Sequence, residues 1–141
     1  MFEGQTFRSC TPEGVCSKPC NEGEPDCWEQ YTVDDRAYRD DHPPRVLKLG
    51  KASQWTLSGE GGFTHPFHIH VNPFEVERQE PGSDGQMRTA KVWKDTINVR
   101  TDGKPVTIRS RYLRFTGEFV LHCHILGHED MGMMQRVRIS E

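Results

Sequence analysis

No apolar run in this chain approaches the length needed to cross a membrane, and only 33% of its 141 residues are hydrophobic. A helical membrane span is therefore not expected, and the core of a single domain of this size will be modest. An excess of basic charge is also missing: 18 Lys and Arg stand against 21 Asp and Glu, a net charge of −3. That balance offers no patch for nucleic acid and none for a polybasic membrane contact. The opening MFEGQTFRSC has neither the basic start nor the apolar stretch of an export signal. Helical periodicity is lacking outside one short turn at 126–131, and there is no internal repeat or low-complexity tract.

What remains is punctuated by turn residues. Segments at 45–49, 54–58, 67–71, 74–78, 95–99, 106–111, 119–125 and 135–139 read as short strands bounded by Gly, Pro and Asp. They predict an all-β sandwich or barrel. A tight Gly-Lys-Ala-Ser connection joins the first two, a polar loop is expected over 79–89, and Trp55 and Trp93 are expected in the core. Residues 1–30 carry Cys10, Cys16, Cys20 and Cys27 among Pro, Gly, Ser and Glu, without strand or helix periodicity. This predicts an irregular, Cys-rich lead held by two disulfides, with three connectivities open. The spacing contains no CxxC pair, which weighs against zinc.

The fifth cysteine belongs to different chemistry. His122-Cys123-His124-Ile-Leu-Gly-His128-Glu-Asp-Met-Gly-Met133 places a thiol, three imidazoles and a thioether in one short segment. Soft Cys and Met combined with His describe a copper site: two His and one Cys in a plane, with a weak axial Met. Side chains alternate along a strand, so His122 and His124 share one face and Cys123 takes the other. Cys123 can then bind a metal inside its own barrel while both His residues reach a metal outside it. A second cluster, His65-Pro-Phe-His68-Ile-His70, repeats the device, with His68 and His70 on one face and Phe67 and Ile69 on the other. His65 precedes a proline and is expected at the strand entrance in an extended or turn conformation. Six of the seven His residues lie in these clusters; the seventh, His42, precedes Pro43 and Pro44 in an expected exposed loop.

Together, HPFHIH at 65–70 and HCHILGHEDMGMM at 122–134 resemble the last two copper motifs of multicopper oxidases, both laccase-like and bacterial copper-efflux-type, over roughly 31–139. The resemblance implies a Greek-key cupredoxin barrel. It implies a type 1 copper on His65, Cys123 and His128 with Met133 axial, His68 on a type 2 copper, and His70, His122 and His124 on a type 3 pair. Cys123 would carry electrons toward His122 and His124, and Glu129 stands where several bacterial relatives have a carboxylate that feeds protons to oxygen reduction. A complete trinuclear cluster in this family takes eight His, half of them from two further HxH motifs in an N-terminal domain. No other HxH is present, so the type 1 site is complete and the type 2 and type 3 sites are half supplied.

The resemblance therefore implies that residues 31–141 are the C-terminal cupredoxin domain of a larger enzyme, with 1–30 a lead or linker. Its partners would be O2, a reducing small molecule or metal ion, and either the remaining cupredoxin domains or another copy of itself. The parent enzyme would be periplasmic or extracellular, which reconciles expected disulfides with the missing export signal if Met1 is not the natural start. Two other readings use the same copper ligands: a stand-alone blue copper electron carrier, and a symmetric assembly in which copies share a cluster. A cupin reading is the rival: Gly62, His68, His70, Glu75 and Gly82 match that family's first metal motif. It lacks the second motif and leaves Cys123, His128 and Met133 without a use.

Overall fold

The computed structural model describes residues 30–61 and 64–141 in full, together with the strand backbone at 2–10, 16–19 and 27–29. Two sheets face each other. One has five strands in the order β4-β12-β11-β6-β9 and the other four in the order β5-β10-β7-β8. Their members are β4 (Arg45–Lys48), β5 (Ala52–Leu57), β6 (His65–Ile69), β7 (Phe74–Pro81), β8 (Met87–Lys94), β9 (Thr96–Val99), β10 (Val106–Arg111), β11 (Gly117–Cys123) and β12 (Met134–Ser140). The pairing is antiparallel except between β12 and β4. One short helix, α1 (Leu126–Asp130), occupies the expected turn between β11 and β12.

Alternation builds the core. Phe67, Ile69, Leu121, Cys123 and Val137 from the larger sheet and Leu57, Phe74, Val76 and Ile108 from the smaller are buried in one cluster. The tight connection at 50–51 does not make a hairpin: β4 and β5 belong to different sheets. Gly50, at φ +76°, donates to the Tyr112 carbonyl while Tyr112 donates to Lys51, so the chain crosses between layers at a backbone clamp.

Three expectations change. The polar loop at 79–89 shrinks, because β7 and β8 continue through it with Gln79 opposite Thr89, their side chains hydrogen-bonded at 2.8 Å, and Glu80 opposite Arg88. Backbone ladder bonds and polar cross-strand pairs extend a hairpin without apolar residues. Trp93 is 53% exposed, on edge strand β8 with the Arg111 guanidinium over its ring, whereas Trp55 is half-buried against the core. The N-terminal lead is also more regular than expected. Here β1 (Phe2–Cys10), β2 (Cys16–Pro19) and β3 (Cys27–Val33) form a three-stranded antiparallel sheet, since ladder pairing satisfies backbone groups whether or not side chains alternate in polarity. The expected disulfides of Cys10, Cys16, Cys20 and Cys27 concern side chains outside the described residues.

Just beyond β6 the backbone is strained. Val71 has φ +67°, and Asn72 donates to the His70 carbonyl at 2.7 Å, which closes a γ-turn of the rare positive-φ kind. Left-handed backbone costs a β-branched residue about 1–2 kcal/mol, part of which glycine returns through its freer unfolded chain. Val71 is 60% exposed, so little packing is at stake. Val71→Gly is expected to stabilise the chain by about 0.5–1 kcal/mol, read from urea unfolding midpoints; a loss of stability would contradict the strain.

Candidate metal centre

The two histidine motifs are adjacent strands of the larger sheet. In the β6–β11 ladder His68 lies opposite His122 and Phe67 opposite Cys123. The shared register puts both His pairs on one face and turns Cys123 to the other, as the alternation requires. Two groups of ligand-type atoms result, back to back across β11.

The inner group is His65, Cys123 and His128, all buried. His65 opens β6, as expected of a residue before proline, and His128 comes from α1. The His65 and His128 Nδ1 atoms are 3.2 Å apart, and the Cys123 Sγ is 3.8 Å from the first and 3.7 Å from the second. A triangle with those sides has a centre about 2 Å from each corner, the length of a metal–imidazole bond. Burial holds the His65 imidazole below its ordinary pKa, and a nearby His128 adds to this, while the hydrogen bond toward the Glu60 carbonyl opposes it. Burial pushes the Cys123 thiol up. A neutral imidazole is already a ligand, and the thiol becomes one when a cation displaces its proton. Met133 is fully buried; its N–H donates to the His128 carbonyl and its own carbonyl accepts from Cys123 N–H, both at 2.9 Å.

Neither inner imidazole meets solvent appreciably: His65 is 0% and His128 8% exposed. Tyr31 accounts for part of the cover, since its ring stacks on His128 with centroids 3.8 Å apart and planes at 14°.

The outer group gathers His68, His70 and His122. The Nε2 atoms of His70 and His122 are 3.1 Å apart. His124, just past the end of β11 and exposed, has its ring centroid 5.4 Å from that of His68 and 5.6 Å from that of His122. Burial and the neighbouring His68 and His122 hold His70 below its ordinary pKa.

Backbone and side-chain acceptors fix the ring tautomers here. His122 Nδ1 lies 3.0 Å from the Cys123 carbonyl and 3.1 Å from the Glu129 carboxylate, so it carries the proton and leaves Nε2 as a ligand. His68 Nδ1 lies 2.9 Å from the Thr96 hydroxyl and 3.1 Å from the Asp95 carbonyl, and the Thr96 hydroxyl donates onward to the Asp95 carboxylate. Asp95 thus supports His68 twice, directly through its backbone carbonyl and through Thr96 by its carboxylate.

Elsewhere the sequence-predicted residues fall apart or into packing. Glu75, the cupin candidate, is in the opposite sheet and pairs with Lys91 at 3.2 Å, away from both groups. Met131 is half-buried against the core, and Met134 opens β12. His42 is half-buried rather than exposed, and its carbonyl accepts from Arg136. Sequence reasoning missed Tyr31 and Thr96. The register of β6 on β9 sets Thr96 opposite His68, but nothing local to Tyr31 announces its contact with His128.

A sulfur-and-nitrogen triangle of that size suits copper, and a cluster of imidazoles alone beside it suits the same metal. The multicopper oxidase family profile matches residues 17–141, and the chain belongs to the multicopper oxidase family. It is 34% identical over 105 residues to a laccase of Haloferax volcanii, covering 74% of this chain and 18% of that protein. A laccase of Bacillus subtilis is 33% identical, with 67% of this chain and 21% of its own length covered. Among solved structures, the multicopper oxidase of Campylobacter jejuni, described as a metallo-oxidase, superposes with a TM-score of 0.66 at 32% identity, covering 79% of this chain and 23% of its own. The fold is accordingly the all-β cupredoxin fold of these oxidases, and the chain spans about a fifth of the length of the curated relatives it matches.

Proposed function

We propose that residues 31–141 act as the C-terminal cupredoxin domain of a longer, periplasmic or extracellular multicopper oxidase, with residues 1–30 as its lead. The observation that carries this reading is the pair of ligand groups on opposite faces of β11, joined through Cys123. His65, Cys123 and His128 would hold a type 1 copper, with the buried Met133 as a further, weaker ligand. His68 would serve a type 2 copper, and His70, His122 and His124 the type 3 pair. Bound copper would supply one-electron chemistry, taking electrons singly from a reducing substrate and passing four to O2 to give water.

The chain's own residues have defined tasks. Cys123 is one peptide bond from His122 and one from His124, so it offers a short covalent path between the two groups. The apolar cluster around Cys123, which includes Phe67, Leu121 and Val137, excludes water from the thiolate and so raises the influence of each nearby dipole. Glu129 holds the proton on His122 Nδ1 and stands beside the outer group, positioned to relay protons to reducing oxygen. The open face carrying His70 and His124 would meet another cupredoxin domain of the parent protein, which brings the other four histidines.

Glu129→Ala would leave His122 with only the Cys123 carbonyl as its Nδ1 acceptor. In a full-length protein, where a partner domain completes the outer group, copper affinity there is then expected to fall about tenfold, with the inner group unchanged, since removing such an orienting partner costs on the order of 10–100-fold. Competition titration against a chelator measures both, and equal loss at the two groups would contradict the assignment.

Native mass spectrometry of the copper-loaded chain tests the reading as a whole. One tightly held copper on a monomer is the expected result, with the outer histidines filled only when a partner domain is supplied. A chain that retains no copper would sink it. Several coppers held only by an oligomer would instead support copies sharing a cluster, the second arrangement that four outward histidines per chain permit.

A further inference from the structure

Residues 31–38 do more than lead into the sandwich. Tyr31, in β3, donates its N–H to the Met131 carbonyl at 3.1 Å, and Tyr38 donates to the Gly132 carbonyl at 2.9 Å. Between them Gly132 packs so closely that a side chain there would meet Ala37 and the Tyr31 carbonyl. Residues 31–38 are thus tied by backbone to Met131 and Gly132, in the segment between His128 of α1 and Met133. At one end of this strap the Tyr31 ring, 3% exposed, lies flat on the His128 imidazole and meets His65 edge-on at 6.3 Å between centroids.

We infer that Tyr31 is a positioning residue for the inner metal group: its stacked ring sets the plane of the His128 imidazole and seals that ligand from water. The inference rests on the copper reading of the group. An imidazole ligand has one free rotation that changes how its nitrogen lone pair meets the metal, and a ring stacked at 14° fixes it. The backbone bonds hold the strap in place independently of the aromatic group, so the ring can be exchanged while its carrier stays docked. Tyr31→Phe keeps the stack; Tyr31→Leu fills similar space without a ring face.

The test compares the three full-length chains loaded with Cu(II). The readouts are the blue thiolate-to-copper absorption band, the copper hyperfine splitting in electron paramagnetic resonance, and the rate of copper loss to excess chelator. The Phe variant is expected to match the wild type in all three. The Leu variant is expected to bind one copper with a shifted band and splitting, and to lose it about tenfold faster, in the range for losing a group that orients a ligand. A role confined to folding would lower the melting temperature and leave band and splitting unmoved, and that result overturns the proposal. Should the Leu variant fail to fold, nuclear magnetic resonance of the wild-type apoprotein decides instead. The His128 ring protons should be shifted upfield by the Tyr31 ring and should stay so in Tyr31→Phe; unshifted resonances overturn the proposal. A wild-type chain that never turns blue fails the copper reading and the proposal with it, whereas a blue wild type and an indistinguishable Leu variant fail the proposal alone.

Discussion

Cys123→Ser is expected to abolish the blue absorption of the copper-loaded chain completely and to remove oxidase activity from any full-length protein that contains this domain. A hydroxyl cannot replace a thiolate as the soft, strongly donating ligand, and Cys123 supplies the only sulfur in a triangle otherwise made of two imidazole nitrogens. Serine nearly matches cysteine in size, so the packing around the fully buried position changes little, and the fold should survive. The outer histidines keep their places on β6 and β11, so in the full-length protein, where a partner domain completes that group, copper uptake there is expected to persist. Absorption spectra and copper analysis check both parts, and a serine variant that stayed blue and active would overthrow the assignment of Cys123.

Gly132→Ala is the second large effect. Gly132 adopts φ +109°, a backbone that L side chains rarely take, and a Cβ there would stand 2.8 Å from the Ala37 Cβ and 3.1 Å from the Tyr31 carbonyl oxygen. Ala37 and Tyr31 belong to the strap bonded to this loop, so the backbone must part to admit a methyl group. Strain of both kinds predicts a loss of about 3 kcal/mol or more, measured by urea unfolding of the apoprotein. Because Gly132 precedes Met133, the copper-loaded variant should also show a weakened blue band. A loss below about 1 kcal/mol would mean that the strap and the ligand loop are not packed as described.

Much of the candidate metal centre was legible because strands write their geometry into sequence with a period of two. HPFHIH and FVLHCH each declare which residues share a face, and the observed register of Phe67 opposite Cys123 and His68 opposite His122 follows once the two strands pair. The contact between His65 and the later Cys123–His128 segment came from the family resemblance, since no periodicity links residues so far apart. Contacts set by tertiary packing were not legible. Tyr31 reads as an ordinary strand residue until β3 is docked on the loop after α1. Burial of His128 follows from that docking. Trp93 misled for a related reason: an aromatic residue on an edge strand can spend its face on an arginine, here Arg111, instead of the core. The extension of β7 and β8 was hidden because backbone ladder bonds and polar cross-strand contacts such as Gln79 to Thr89, not hydrophobic alternation, carry the hairpin through 79–89.

On the proposed reading, β11 holds two copper-binding groups back to back, an inner one of His65, Cys123 and His128 and an outer one built on His68, His70 and His122. Crystals of the chain grown with copper and measured on both sides of the copper absorption edge would test this most directly. The expected result is an anomalous peak enclosed by the Cys123 sulfur and the two inner Nδ1 atoms, with any further peak on the opposite face against the outer histidines. A copper peak elsewhere with the inner triangle empty would contradict it.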